Sequence, residues 1–166
     1  MPENAPEGCI QTILLSLGSN LGDRNANITF AFERLKTENG INLICLSDII
    51  ETRPVGPKQP DYLNAAVLAC TSLSPDRLLE VCRKIESDNG RIRSERWGAR
   101  TLDIDIVLYS TRIIDTPTLR IPHPEFRNRL FVLEPAAQIA PDMIDPETGK
   151  SLLCLLQEMK RKNGAT

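Results

Sequence analysis

Two periods of apolar spacing succeed one another along the chain. Residues 11–20, QTILLSLGSN, are a run of Ile and Leu that stops at Gly18, which predicts a buried strand feeding a turn. Residues 25–40, NANITFAFERLKTENG, place Ile28, Phe32 and Leu35 at spacings of four and three, the stripe of an amphipathic helix with Gly40 as its stop. Residues 41–54, INLICLSDIIETRP, read as a second strand ended by Pro54, and residues 62–72, YLNAAVLACTS, as a third. Ser74 as N-cap and Pro75 as first helical residue open a second helix with an apolar stripe of Leu78, Leu79, Cys82 and Ile85. Residues 101–109, TLDIDIVLY, are the fourth strand.

The order strand, helix, strand, strand, helix, strand predicts an α+β, ferredoxin-like fold, an antiparallel sheet with two helices packed on one face. Residues 110–166 predict a short hairpin, a Pro-rich loop, one or two short helices and a frayed tail. A length of 166 residues with no repeat or linker suits one domain over 1–166, with residues 1–10 and 161–166 expected to be flexible.

Inside the fourth strand stand two aspartates, Asp103 and Asp105, although Asp is a poor strand former and like charges on one face repel. Alternation puts both on one face and Leu102, Ile104 and Ile106 on the other, so the aliphatic side packs on the helices and the carboxylates face a cleft or solvent. A hard divalent cation such as Mg²⁺ between them relieves the repulsion. An exposed polar sheet face remains the alternative for Asp-x-Asp by itself. The segment before it, GRIRSERWGAR, carries Arg91, Arg93, Arg96 and Arg100 against Glu95, a local +3 in a chain of net charge −2. A basic loop on an acidic chain points to a localised anion such as phosphate rather than to nucleic acid. Trp97 within it is either a packing residue or a lid over the ligand.

His123, the sole histidine, sits between two prolines in RIPHPEFRNR, where Arg127 and Arg129 make it a candidate phosphate contact. Tyr62 and Asn64, two apart on the third strand, offer a flat ring and an amide to a planar heterocycle. LGSNLGD lacks the spacing of a Walker A or dinucleotide loop and reads as a strand-to-helix turn. Apolar residues are 41% and charged residues 25%, and no apolar run approaches the length of a membrane span, so a cytoplasmic protein is expected. Five scattered cysteines, without a CxxC pair, read as buried free thiols rather than a zinc site or disulfide framework.

Taken together, LGSNLGD, ETRPVGPKQPDYLNAAV, IESDNGRIRSERWGARTLDIDIVLY, IPHPEFRNRLFVLEP and IAP, in that order over nearly the whole chain, resemble the 6-hydroxymethyl-7,8-dihydropterin pyrophosphokinases of folate biosynthesis. RWGARTLDIDIVL is the most specific part. The resemblance implies transfer of pyrophosphate from MgATP to the pterin hydroxymethyl group, with AMP as the other product. Asp103 and Asp105 would bind two Mg²⁺ ions on the ATP phosphates. Tyr62 and Phe131 would sandwich the pterin, while Asn64 and the backbone around Thr52 and Val55 would bond its edge. Arg91, Arg100, His123 and Arg129 would meet phosphates, Glu86 and Ile106 would line the nucleotide site, and Arg93 and Trp97 would belong to a closing loop.

Three positions depart from relatives: Ser94 where lysine can occur in a shorter loop, Thr118 where a phosphate-facing arginine can stand, with Arg120 on the same strand face as a candidate substitute, and Arg53 in place of proline. The partners implied are a small-molecule pterin and ATP, with no nucleic acid or membrane, acting on a monomer. A palm-like nucleotidyltransferase, which also pairs strand aspartates with Mg²⁺, and a non-catalytic nucleotide-binding module are the competing classes.

Overall fold

The computed structural model describes residues 11–54, 56–90 and 101–164. Strands β1 (Gln11–Ser19), β2 (Ile41–Leu46), β4 (Tyr62–Thr71) and β5 (Asp103–Tyr109) form an antiparallel sheet in the order β2-β4-β1-β5, and short β3 (Ile50–Thr52) pairs with β4 beyond the end of β2. Helices α1 (Arg24–Thr37) and α2 (Pro75–Asp88) lie on one face. This is the ferredoxin-like arrangement, and the strand that sequence periodicity runs from 41 to 54 is divided in two. The division has a local cause. Ser47 Oγ accepts from the Ala66 N–H at 2.8 Å, and Asp48 is held by Gln138, which accepts from its N–H at 2.8 Å and donates to its carboxylate at 2.6 Å. Side chains that bond the backbone locally replace the regular ladder there.

Among the described residues, three of the four α-helix starts are written in their caps. Asp23 accepts from the Ala26 N–H at 3.0 Å, Ser74 from Arg77 at 3.3 Å ahead of Pro75, and Ser151 from Cys154 at 3.1 Å. Ile28, Ala31 and Leu35 of α1 and Leu78, Cys82 and Ile85 of α2 are buried against Ile13, Leu15, Leu17, Ile104 and Ile106 of the sheet. At roughly 1.5–3 kcal/mol for each large aliphatic side chain, this layer is the main source of cohesion.

The second face is not left open along its length. Helices α3 (Leu130–Ile139) and α4 (Leu152–Lys162) cover Leu14, Ala66, Val107 and Leu108 there. Helix α4 thus reaches two residues into the stretch expected to be flexible; the expectation for residues 1–10 lies outside the described residues. A β-bulge explains why Val107 and Leu108 face the same way. The register of β1 and β5 shifts between Leu14 and Leu15, so Ile106 pairs with Leu15 and Leu108 with Leu14, leaving Val107 as the extra residue. Strict alternation of β5 therefore ends at Ile106.

Beyond β5, β6 (Ile114–Asp115) and β7 (Arg120–Ile121) form the expected hairpin, and a 3₁₀ turn (Phe126–Asn128) leads into α3. Phe126 is fully buried, with the Arg127 guanidinium 4.7 Å from its ring centre. Arg127 makes a forked bond to Asp145, Nε to Oδ2 at 2.6 Å and Nη2 to Oδ1 at 2.8 Å, and a further bond to Glu147 at 2.8 Å. Asp145 has no exposed surface, and it also accepts from the Thr148 hydroxyl and the Glu147 N–H. The sequence expectation that Arg127 supports a phosphate contact is thereby corrected: its donors are spent on a buried carboxylate.

The cysteines likewise divide. Cys70 and Cys82 are buried as expected and Cys154 is half-buried, but Cys45 is exposed because it lies on the solvent side of edge strand β2; Cys9 lies outside the described residues.

Burial alone would raise the Asp145 pKa, but the bonds from Arg127, Thr148 and Glu147 outweigh it and hold the carboxyl below its ordinary 3.8. A carboxylate depressed in the folded state stabilises the fold above its unfolded value, and that contribution is lost as pH falls through the lower folded value. Asp145→Ala, which leaves Arg127 only its bond to Glu147, is expected to cost roughly 2–3 kcal/mol, or about 7 °C of melting temperature. Asp145→Asn should flatten the acid limb of stability below about pH 4. Thermal melts at pH 7 and pH 3 check both; an unchanged melting temperature in Asp145→Ala contradicts the account.

Candidate active site

The face that α3 packs on becomes polar toward the end of the sheet where β1 finishes and β4 and β5 begin. The polar part of that face is set by register. Gly18 of β1 pairs with Asn64 of β4 on one side and Asp103 of β5 on the other, and one step along, Ser16 pairs with Ala66 and Asp105. Directly paired residues share a face, so Asn64, Gly18 and Asp103 make one row across three strands, and Ala66, Ser16 and Asp105 a second. Tyr62 extends the first side by two residues. The sequence expectation that strand β1 stops at Gly18 is corrected here: the strand continues through it with partners on both sides.

The two carboxylates are half-buried, and Ile104 between them is buried in the layer beneath α1 and α2. Asn64 is only 3% exposed, and its Nδ2 donates to Thr52 Oγ1 at 2.6 Å. A fixed amide presents both an acceptor and a donor edge without loss of side-chain entropy at binding. Thr52 was expected to act through its backbone; its side chain also orients Asn64.

The loop between β3 and β4 is held by residues that sequence reasoning did not single out. Asn20, 1% exposed, donates from Nδ2 to Gln59 Oε1 and to the Pro60 carbonyl, both at 2.9 Å, and Arg24 Nη1 donates to the Asp61 carbonyl at 3.0 Å. Arg24 also pairs with Glu51 at 3.5 Å. LGSNLGD is thus the expected strand-to-helix turn, and it clamps the loop that follows Thr52. The legible signal was a buried-type strand ending in Asn rather than in an apolar residue.

His123 docks on the outer edge of β5. Its N–H donates to the carbonyl of the bulged Val107 at 3.0 Å, and its Nδ1 accepts from the Glu125 N–H at 3.1 Å. With Nδ1 an acceptor, the neutral ring carries its proton on Nε2. Burial, reinforced by the Arg129 guanidinium and opposed by Glu125 and Asp103, pushes the imidazole pKa down to about 4. His123 is therefore a neutral N–H donor near Asp103 rather than a cation. Arg129 lies 5.6 Å from the Phe131 ring centre in the first turn of α3, the helix that packs on β4 and β3.

Glu86 and Ile106 are buried on the opposite side of the sheet, between β5 and α2. Cys82 beside them has its thiol pushed up to about 12, first by burial and then by Asp105, and is chemically inert. Arg120 is exposed and pairs with Asp115 at 3.4 Å, while Thr118 sits in the hairpin turn with its hydroxyl 3.5 Å from that of Thr116. Arg53 is exposed. Val55, Arg91, Arg93, Ser94, Trp97 and Arg100 lie outside the described residues.

Comparison with known proteins gives this arrangement a family. Residues 14–141 match the family model described as 7,8-dihydro-6-hydroxymethylpterin-pyrophosphokinase. A 2-amino-4-hydroxy-6-hydroxymethyldihydropteridine pyrophosphokinase of Synechocystis sp. is 40% identical over 158 residues, covering 95% of this chain and 80% of the relative. One of the same name from Bacillus subtilis is 44% identical over 126 residues, 75% of each. Among solved structures, a crystal structure of an HPPK-DHPS in complex with substrates superposes with a TM-score of 0.72 at 13% identity, covering 93% of this chain and 44% of that one. That structural likeness speaks to the fold, in which this chain spans less than half of the matched protein's length. Identity and coverage at the level of sequence go further: the chain belongs to the 7,8-dihydro-6-hydroxymethylpterin-pyrophosphokinase (HPPK) family.

Proposed function

We propose that this chain transfers a diphosphate group from ATP to the hydroxymethyl oxygen of 6-hydroxymethyl-7,8-dihydropterin, a step of folate biosynthesis. The new bond joins that oxygen to the β-phosphorus, the bond between the α–β bridging oxygen and the β-phosphorus breaks, AMP departs and the hydroxyl proton passes to solvent. The observation that carries the reading is the row Asn64–Gly18–Asp103, which sets a heterocycle-reading amide and a carboxylate on one face two strand spacings apart, about 10 Å. The names of the relatives supply the diphosphate, rather than a single phosphoryl group, as what is transferred.

The donor set fits Mg²⁺. Asp103 and Asp105 offer half-buried carboxylate oxygens from one strand face, and among the described residues no cluster of three or more His, Cys, Asp or Glu forms an all-protein cage. Such a site suits an ion that keeps much of its shell for water and substrate phosphates. Two Mg²⁺ ions held by Asp103 and Asp105 would supply charge neutralisation on the triphosphate.

The chain's own residues do the rest by position. Tyr62 and Phe131 stack on the pterin, and Asn64 bonds its edge with the backbone near Thr52 and Val55. His123 gives a neutral N–H to a phosphate oxygen, while Arg129, Arg91 and Arg100 meet its charge. Glu86 and Ile106, packed between β5 and α2, back the strand whose carboxylates meet the nucleotide's phosphates, and Arg93 and Trp97 close over the site to exclude water. Arg120 takes the phosphate-facing role that Thr118 does not offer. No described helix is long and apolar enough to cross a membrane, and both substrates are small molecules, which suits a cytoplasmic monomer.

Incubation with MgATP and the hydroxymethyl pterin should yield AMP in step with pterin diphosphate. Pyrophosphate release would indicate nucleotidyl transfer, and binding without turnover a non-catalytic module. Asp105→Ala should lower turnover about a hundredfold or more with little change in melting temperature, because several kcal/mol of charge stabilisation goes but no core volume; a folded variant with near-normal rate refutes its role. For His123, ¹⁵N NMR should show a neutral Nε2–H imidazole at pH 6. Protonation with an ordinary midpoint near 6.5 would contradict the neutral-donor assignment.

A further inference from the structure

Gly18 is out of place by ordinary strand rules. It lies within β1, paired on both sides, and glycine weakens a strand interior because it packs nothing and loses the most backbone freedom. Its backbone does not call for glycine either, since its φ is outside the left-handed region that Gly22 and Gly40 occupy. What the position excludes is a side chain. A Cβ there would stand 3.3 Å from Asn64 Oδ1 and 3.6 and 3.8 Å from two carbons of the Tyr62 ring. Asn64 has little room to retreat, being buried and bonded to Thr52 Oγ1 at 2.6 Å.

A Cβ on Gly18 would rise from the face that Asn64, Tyr62 and Asp103 share, against the Asn64 amide and the Tyr62 ring, where Gly18 is already buried. The geometry points to Gly18 as the residue that sets specificity by positioning: with no side chain of its own it lets the Tyr62 ring and the Asn64 amide close down on β1, and so fixes the ring that stacks on a flat two-ring heterocycle and the amide that reads its edge. This rests on the pterin reading given under Proposed function. A side chain at position 18 displaces Asn64 or the Tyr62 ring, and either shift weakens the pterin while the nucleotide, held by the phosphate-binding groups at β5, keeps its affinity.

The test compares wild type and Gly18→Ala by calorimetric titration with the hydroxymethyl pterin and with a non-hydrolysable ATP analogue plus Mg²⁺, alongside steady-state AMP formation and melting temperature. Gly18→Ala should weaken pterin binding and raise the pterin KM about tenfold or more, as overpacking of a tight site does. The affinity for the ATP analogue should stay within about twofold. Pterin affinity equal to wild type overturns the inference and leaves the proposed reaction standing. Parallel loss of pterin and nucleotide binding, or a variant that does not fold, marks a structural role and also overturns it. Absence of AMP formation by the wild-type protein removes the underlying reading and the inference with it.

Discussion

The site depends on one constraint, the pairing of β1 with β4 and β5 in a register that sets Gly18 between Asn64 and Asp103. A slip of a single residue in either ladder would turn one of these side chains into the aliphatic layer beneath α1 and α2. Register is therefore enforced by the core. Ile13, Leu15 and Leu17 of β1 and Ile104 and Ile106 of β5 must all point toward the helices, and the alternate positions are then bound to face the other way. The residues with the chemistry occupy positions that the packing of their neighbours has already determined.

That second face changes character along its length. Toward one end it is apolar and covered by α3 and α4; toward the other it is polar, with the two carboxylates half-buried. The bulge at Val107 marks the change, turning Leu108 under α3 and α4 and offering the Val107 carbonyl to His123. The segment after His123 divides its labour in the same manner. Arg127 is drawn inward to Asp145 and fastens the 3₁₀ turn to the loop before α4, while Arg129, two residues on, stays beside Phe131. Two arginines in one short motif thus have different surroundings, and only packing tells them apart.

The ferredoxin-like order, the caps at Ser74 and Pro75 and the face shared by Asp103 and Asp105 were legible because each follows from local spacing. What was not legible depended on partners far along the chain. Ser47 and Asp48 break a strand whose apolar pattern runs on, because Ala66 and Gln138 are at hand to bond them. Cys45 is exposed because β2 is the edge of the sheet, and Arg127 is structural because Asp145 is buried opposite it, neither of which spacing can show. Gly18 was visible as a glycine and read as a stop; the pairing on both sides gives it a different meaning. The segment from Arg91 to Arg100 carries the strongest charge signal in the chain and lies outside the described residues.

The central claim is that the carboxylates of β5 and the amide of β4 serve one set of ligands on one face. A crystal structure with Mg²⁺, a non-hydrolysable ATP analogue and the hydroxymethyl pterin tests it directly. The account predicts metal ions within about 2.1 Å of Asp103 and Asp105 oxygens, and a pterin ring against Tyr62, bonded to Asn64. A pterin bound elsewhere, or carboxylates in bulk solvent with no ion attached, would contradict it.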